Sequence, residues 1–346
     1  MAKIKVAVVG ASGYTGQELL RLLLMHPEVE LAAVTSRQYA GQALGEVFPR
    51  FAKMPGAELP FVDADASAIK ASGAVAAFLA LPHGVAAGFA GDLVGAGLKV
   101  IDLSADFRLR DPAIYQEFYE AAHPNEALLK SAVYGLPERR PDAIRAAQLV
   151  ASPGCYPTSI ILPLLPVLEA GLIDPQSIVA HSMSGVSGAG RKAAIPLLYT
   201  ECNESVRAYG LPKHRHLSEI EQELSLAADT SVTMTFLPHL VPVTSGICTT
   251  STSMLKPGAS LDQVEAALDK AYADCPFVRL IGRNCADTKN VTRTNFIDIG
   301  CLHDERSGRL ILSSAEDNLV KGAGGQAVQS FNLMFGLSES CGLQLV

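Results

Sequence analysis

A cysteine placed directly after a glycine, in Ser152-Pro153-Gly154-Cys155-Tyr156-Pro157-Thr158, is the residue of this chain best suited to act as a nucleophile. Gly154 lets the backbone turn sharply, and Thr158, Ser159 and the apolar run Ile160-Ile161-Leu162 mark the start of a buried helix. A cysteine in the first turn of such a helix feels its positive end, which favours the reactive thiolate over the thiol. The alternative is a small hydrophobe in a loop, because free cysteine is among the most buried residue types. A second concentration of chemistry, His214-Arg215-His216, stands just before an amphipathic helix from Glu219. A histidine here can move protons for a thiolate, or the stretch can be a basic capping loop. His-x-His without a third ligand or a carboxylate cluster does not make a metal site, so no metal is expected.

Other stretches have the residue types that hold phosphate. Gly10-Ala11-Ser12-Gly13-Tyr14-Thr15-Gly16 follows the apolar run Lys5-Val6-Ala7-Val8-Val9 and precedes a helical pattern over 17–25. The spacing is G-x-x-G-x-x-G rather than the dinucleotide fingerprint G-x-G-x-x-G. Strand, glycine turn and helix nevertheless bring bare amides and a helix N-terminus to face a pyrophosphate, with Gly10, Ser12, Gly13, Tyr14, Thr15 and Gly16 concerned. A plain structural turn is the alternative. The next strand, 29–35, ends in Ser36-Arg37, where an NAD-selective fold carries an Asp or Glu for the ribose hydroxyls. A hydroxyl followed by Arg suits a 2′-phosphate, so NADP(H) is expected over NAD, with a solvated loop role for Arg37 as the other reading. Arg108 can clamp a carboxylate or phosphate, or pair with Asp106 or Asp111. The glycine- and cation-rich loop over 184–192 either wraps phosphate or links surface elements.

The elements that must position these groups follow from periodicity. Residues 73–81, closed by Pro82-His83-Gly84, and residues 99–103 read as buried strands alternating with helices. That is the pattern of a Rossmann-type, doubly wound parallel sheet, which meets ligands at the carboxyl ends of its strands, where Leu81 and Pro82 fall. Beyond polar, Pro-containing sequence at 137–150, residues 177–183 read as a strand, and 234–242 and 246–254 as neighbouring antiparallel segments of a mixed sheet. A helix over 261–273, strands over 294–299 and 310–314, and a last long helix opening at Glu316 complete the chain. The expected organisation is α/β, with a dinucleotide-binding domain over 1–150 and an α+β catalytic domain with a mixed sheet over 151–315. Residues 316–346 return to the first domain. At 346 residues and 49% hydrophobic, the chain can bury two such cores. A net charge of −7, with no cationic run larger than Arg139-Arg140 or Arg191-Lys192, argues against a nucleic-acid partner. No apolar run reaches a membrane span and the N-terminal stretch has no signal-peptide h-region, so a cytoplasmic protein with no membrane partner is expected. Seven cysteines without a Cys-x-x-Cys pair indicate neither a disulfide framework nor zinc.

Taken in order, the glycine turn, the stretch from Ser152, the His214-Arg215-His216 segment and Asn318-Leu319-Val320-Lys321-Gly322-Ala323 make the sequence resemble the N-acetyl-γ-glutamyl-phosphate reductase family over essentially its full length. Further matches lie at 105–109, 184–191, 201–204 and 238–242. That family stands with aspartate-semialdehyde dehydrogenase among NADP-dependent acyl-phosphate reductases, and the segment from His214 to Ile220 favours the first of the two. The resemblance implies NADPH-dependent reduction of a small acyl phosphate, N-acetylglutamyl 5-phosphate, to the semialdehyde and phosphate through a thioester on Cys155, as a step of arginine biosynthesis. It also implies a homo-oligomer, dimer or tetramer, built through the sheet of the second domain. It places the second histidine nearest the sulfur, so His216 rather than His214 is expected to hold the thiolate and move the proton, although spacing alone does not separate them. Gly185, Ser187 and Asn318 are then expected near the nicotinamide, and Arg108, Ser184, Tyr209, His214 and Glu219 around the substrate, with Arg108 at its anionic end. Two positions depart from the family pattern: Ser218 stands where a proline is usual, and Thr244-Ser245 where an arginine is. Competing readings are reduction of aspartyl phosphate, reduction of a carrier-bound amino-dicarboxylate phosphate, and a non-catalytic NADP-binding sensor, which would be expected to lose Cys155 or the histidine pair.

Overall fold

Short runs of Val, Ile, Leu and Ala without alternation suit strands buried on both faces, and they build the first sheet of the computed structural model, which describes residues 2–343. β1 (Ile4–Val9), β2 (Val29–Thr35), β3 (Phe61–Val62), β4 (Ala76–Leu79), β5 (Lys99–Asp102), β6 (Val133–Tyr134) and β7 (Leu149–Ala151) lie in the order β3-β2-β1-β4-β5-β7-β6, every pair parallel. All of β4 and residues 6–9 of β1 are fully buried. From β1 the chain winds outward to β2 and β3, then returns to lay β4 on the other side of β1. Winding therefore reverses between β1 and β4, the place where such sheets bind ligands.

The described residues divide into two compact units, one of them Gly154–Gly322 and the other residues 2–153 together with 323–343. Within the latter, the helix Gly325–Met334 is buried along its whole length. Phe331 packs tilted against Phe78 of β4 with ring centres 5.6 Å apart, the Lys99 ammonium donates to Met334 O at 2.6 Å, and Asn332 Oδ1 meets the His26 ring at 3.0 Å. Residues 344–346, the end of the expected terminal segment, lie outside the described residues. The segment also begins differently from expectation. Glu316 is the last residue of a strand, Val320–Gly324 form a π-helical turn, and the helix starts only at Gly325. The cause is local: Asp317 Oδ2 accepts from Arg293 N–H at 2.8 Å and Asn318 Oδ1 from Gly246 N–H at 2.7 Å. Short polar side chains engaged with neighbouring backbone, followed by glycines at 322, 324 and 325, hold off a regular helix.

The second unit carries a mixed sheet. β8 (Val179–Ser184), β9 (Arg207–Ala208), β10 (Thr235–Leu240), β11 (Ile247–Met254), β12 (Val278–Leu280), β13 (Ile297–Asp304) and β14 (Arg309–Glu316) lie in the order β12-β13-β14-β11-β8-β10-β9. β10 and β11 are not neighbours, contrary to the expectation from their closeness in sequence. β8 lies between them, parallel to β10 and antiparallel to β11. Their connection crosses the end of β8 and bonds to it, with Val241 N–H on Ser184 O at 3.0 Å and Gly185 N–H on Gly246 O at 2.9 Å. It therefore delivers the two strands to opposite sides.

Against this sheet lies the helix Cys155–Glu169, apolar all round and buried at every residue from Tyr156 to Leu168, as such a helix must be. Pro163 and Pro166 interrupt its hydrogen-bond ladder and orphan the carbonyls four residues before them. Side chains from neighbouring elements take their place: the Ser314 hydroxyl donates to Ser159 O at 2.7 Å, and the Tyr272 hydroxyl to Leu162 O.

Candidate active site

The two units each gather part of the expected chemistry. In the first, the turn after β1 holds residues 10–16 over the start of the helix Tyr14–Met25, for which Gly13 is the N-cap. Gly10 has φ +82° and a side chain there would meet Ala80 O at 2.5 Å and Leu81 Cδ2 at 3.0 Å, so only glycine fits between the ends of β1 and β4. A side chain at Gly16 would meet Ala11 Cα at 2.6 Å, which lets the helix close onto the turn. The Ser36 hydroxyl donates to Ser12 Oγ at 3.1 Å, joining the end of β2 to the same turn, and Arg37 stands exposed one residue beyond. The first helical turn holds no acidic residue. Its amides lack intrahelical acceptors and sit at the positive end of the dipole, so this cradle fits a pyrophosphate. Leu81 lines it, and Pro82 is exposed next to it.

Arg108 takes a different place from that of an open anion clamp. It is 8% exposed, with Nε donating to Ser152 O and an η nitrogen to Leu103 O, both at 2.8 Å. Asp106 and Asp111 have donors of their own: Asp106 accepts from Gly84 N–H, Ala87 N–H and the Tyr115 hydroxyl, and Asp111 caps the helix Pro112–Tyr119. Nearby, Asp102 at the end of β5 is fully buried, accepts from Ser104, and is pushed up to about 7 by burial. Sequence reading passed over it, since an acid at the close of a strand carries no signal of its depth.

In the second unit Cys155 is the first residue of its helix, with Gly154 in extended conformation as the N-cap. The helix thus starts at Cys155 itself, five residues before the apolar run at Ile160, and the thiol lies at the dipole's positive end. Gly322 of the π-helical turn packs directly on it: a methyl there would stand 2.7 Å from Cys155 Cβ. An aromatic and imidazole cluster surrounds the next residue. Tyr156 and Tyr209 share a hydrogen bond at 2.7 Å between their hydroxyls, and the Tyr156 ring stands edge-on to His214, His216 and Phe236 at 5.6, 5.9 and 5.2 Å. Burial pushes the Tyr209 phenol up to about 12 and Tyr156 further, so both stay protonated.

The two histidines now differ. His214 Nδ1 accepts the His216 backbone N–H at 3.1 Å, which leaves Nε2 to carry the proton, and burial followed by the nearby Arg215 charge push its pKa down to about 4. His214 is a neutral imidazole at physiological pH and cannot supply the cation of a thiolate pair. His216 opens the helix His216–Ala228. One turn on, Glu219 is 1% exposed and accepts Gly154 N–H at 2.9 Å, so it is buried between two helices rather than set as an open wall group for substrate.

The residues expected near the nicotinamide lie close to one another. The Asn318 amide donates to Ser187 Oγ at 3.0 Å while its oxygen holds Gly246, and Gly185 is pinned so closely that a side chain would meet Ser245 N at 2.8 Å. Ser184 is buried at the end of β8, with its hydroxyl directed to Gly185 O. Sequence reading missed Tyr156 and Gly322, although each lies within a motif it quoted. Among the described residues no group of three His, Cys, Asp or Glu side chains is placed to hold a metal, and no helix is long and apolar enough to cross a membrane.

Residues 5–147 match the family model of the semialdehyde dehydrogenase NAD binding domain, and residues 155–318 that of the semialdehyde dehydrogenase dimerisation domain. The chain is 64% identical over 344 residues to an N-acetyl-γ-glutamyl-phosphate reductase of Akkermansia muciniphila, with 99% of both chains covered. It is 48% identical over 345 residues to the protein of the same name from Desulfotalea psychrophila, again covering 99% of each. Among solved structures, aspartate semialdehyde dehydrogenase II of Vibrio cholerae complexed with ASA is similar, with TM-score 0.72 at 17% identity over 97% of this chain and 99% of that one. The aspartate semialdehyde dehydrogenase with NADP from Candida albicans has TM-score 0.74 at 15% identity, over 96% and 99%. At such identities the likeness is one of fold.

Proposed function

This chain belongs to the N-acetyl-γ-glutamyl-phosphate reductase family, and from that premise we propose that it reduces N-acetylglutamyl 5-phosphate to the 5-semialdehyde, releasing phosphate and oxidising NADPH, as a step of arginine biosynthesis. The Cys155 thiolate attacks the acyl carbon and the carbon–oxygen bond to phosphate breaks, leaving a thioester on Sγ. NADPH, when bound, supplies the hydride that reduces this thioester. Collapse of the resulting hemithioacetal returns the thiolate and frees the aldehyde, with one proton taken up overall. His216 as imidazolium stabilises the thiolate and exchanges the proton on the reacting oxygen, a role His214 cannot share because it is held neutral. Gly10, Ser12, Gly13, Tyr14, Thr15 and Gly16 hold the pyrophosphate, Ser36 and Arg37 the 2′-phosphate, with Leu81 and Pro82 beside them. Gly185, Ser187 and Asn318 serve the nicotinamide end, and Arg108, Ser184 and Tyr209 the substrate, Arg108 by bracing the strand ends it bonds to.

The observation that carries this reading is Cys155 at the first position of a buried helix, with a histidine pair and the Tyr209 phenol packed around the next residue, Tyr156. A homo-oligomer through the second unit's sheet is supported by the outward side chains of β8 and β11: His181 and Met183 are exposed, Met183 at 50%, and Cys248, Thr250 and Met254 half-buried. A cytoplasmic setting agrees with the cysteines, which are free thiols among the described residues. The test is the reverse reaction, NADPH absorbance formed from N-acetylglutamate semialdehyde, NADP and phosphate, with Cys155→Ala in parallel. Phosphate-dependent NADPH formation lost in the variant is expected. Turnover with aspartate semialdehyde alone would overturn the substrate, and full turnover by Cys155→Ala the mechanism.

A further inference from the structure

We propose that Glu219 is a positioning residue, a buried carboxylate that locks the nucleophile's helix to the helix carrying the proton-transfer histidine; this rests on the reading of Cys155 as nucleophile. Glu219 lies in the first turn of the helix His216–Ala228, and its Oε1 accepts the N–H of Gly154, the residue just before Cys155, at 2.9 Å. One side chain therefore ties together two elements separated by 65 residues of sequence, and at both ends the tie lies within a turn of a reacting group. Its setting is rigid. Glu219 is 1% exposed, Ile220 beside it 0%, and Gly154 and Cys155 lead directly into a helix buried from Tyr156 to Leu168.

The charge has a physical reason to be there. Gly154 caps one helix and Glu219 sits in the first turn of another, so the carboxylate lies near the positive ends of two dipoles and accepts a charge-assisted hydrogen bond. Such a bond is short and directional, and it fixes the angle at which the chain enters the cysteine helix. Gly154 is the place where this control is needed. A glycine there has no Cβ to restrict its backbone, so without an anchor the entry into the helix would be loose. Misplacing a nucleophile by about an ångström costs on the order of 10² in rate. The sequence placed Glu219 against the substrate, but depth and an engaged oxygen assign it to the scaffold beneath the site.

The two roles predict opposite kinetics. Glu219→Ala is expected to lower kcat about 10²-fold with KM changed less than about threefold, and to slow alkylation of Cys155 by iodoacetamide in the absence of any substrate. Glu219→Gln keeps an acceptor oxygen at the same reach and is expected to recover kcat and alkylation to within about tenfold of the parent. Because alkylation uses neither substrate nor cofactor, it reports on the positioning even if the substrate proposed above is wrong. A rise in KM with parental kcat and alkylation in both variants would assign Glu219 to the substrate and overturn the proposal. Equal loss in Glu219→Gln and Glu219→Ala would overturn it as well, because an acceptor oxygen at the same reach would then fail to restore the anchor. If Glu219→Ala does not fold, Glu219→Gln alone decides, since a hundredfold loss there has the same meaning.

Discussion

Replacing Gly322 by alanine adds a single methyl group, and the structure sets the size of its effect. The new Cβ would stand 2.7 Å from Cys155 Cβ, 3.1 Å from Cys155 Cα and 2.8 Å from Glu316 Oε1, where carbon atoms pack comfortably at about 3.5–4.0 Å. The two Cys155 atoms cannot swing aside, and the Glu316 oxygen, though at the far end of its side chain, is buried. Two belong to the first residue of a buried helix, and the third to a carboxylate with 0% exposure. Relief requires the turn Val320–Gly324 or the helix start to move by a sizeable fraction of an ångström. Overpacking of this kind costs about 1–3 kcal/mol, which for a unit of this size lowers Tm by roughly 3–10 °C. Since one of the displaced groups is the nucleophile, kcat should fall by about tenfold or more, with iodoacetamide alkylation of Cys155 slowed in parallel. Thermal melting, steady-state reduction of NADP and alkylation together make the assay. A Gly322→Ala protein with parental Tm, kcat and alkylation rate would refute the close approach of this turn to Cys155 and the reasoning built on it.

Other perturbations test separate parts of the structure. Tyr272→Phe leaves the Leu162 carbonyl, orphaned by Pro166, without the hydroxyl that now donates to it, and should cost about 1–3 kcal/mol by chemical denaturation with kcat little changed; a neutral effect would refute the compensation. His214 is depressed to about 4 by burial and by Arg215, so the unfolded chain binds the proton more readily between pH 6.5 and 4. The stability His214 confers is complete above pH 6.5 and is lost as pH falls toward 4, by up to ~3 kcal/mol. His214→Asn should flatten the acid side of the stability profile relative to the parent. Asp102, raised to about 7 and acting in the opposite sense, is present in both proteins and cancels in that difference. Arg37→Ala should raise KM for NADPH about 10–100-fold, the worth of a charge-assisted phosphate contact, while leaving KM for NADH nearly unchanged. An equal rise for both cofactors would place Arg37 away from the 2′-phosphate.

What the residue order determined by itself is whatever depends on neighbours a few positions apart. β1, the glycine turn and the helix after it are legible because apolar run, glycines and helical period follow one another within 25 residues. Cys155 is legible as a candidate because a glycine precedes it and a buried helix follows. The doubly wound sheet is legible because strands alternate with helices along the chain. Tertiary structure decided the rest, since hydrogen bonds between distant segments depend on a pairing that no local pattern encodes. β8 lies between β10 and β11 because their connection bonds across its end. Glu316 ends a strand instead of opening a helix, because Asp317 and Asn318 are drawn to the backbone of Arg293 and Gly246. The two histidines, alike in sequence, part company because one ring accepts the other's amide and is buried beside a cation. Glu219, three residues beyond His216, reads as a group free to meet substrate until folding brings it beneath Gly154, where burial and a donor leave its oxygen a structural task.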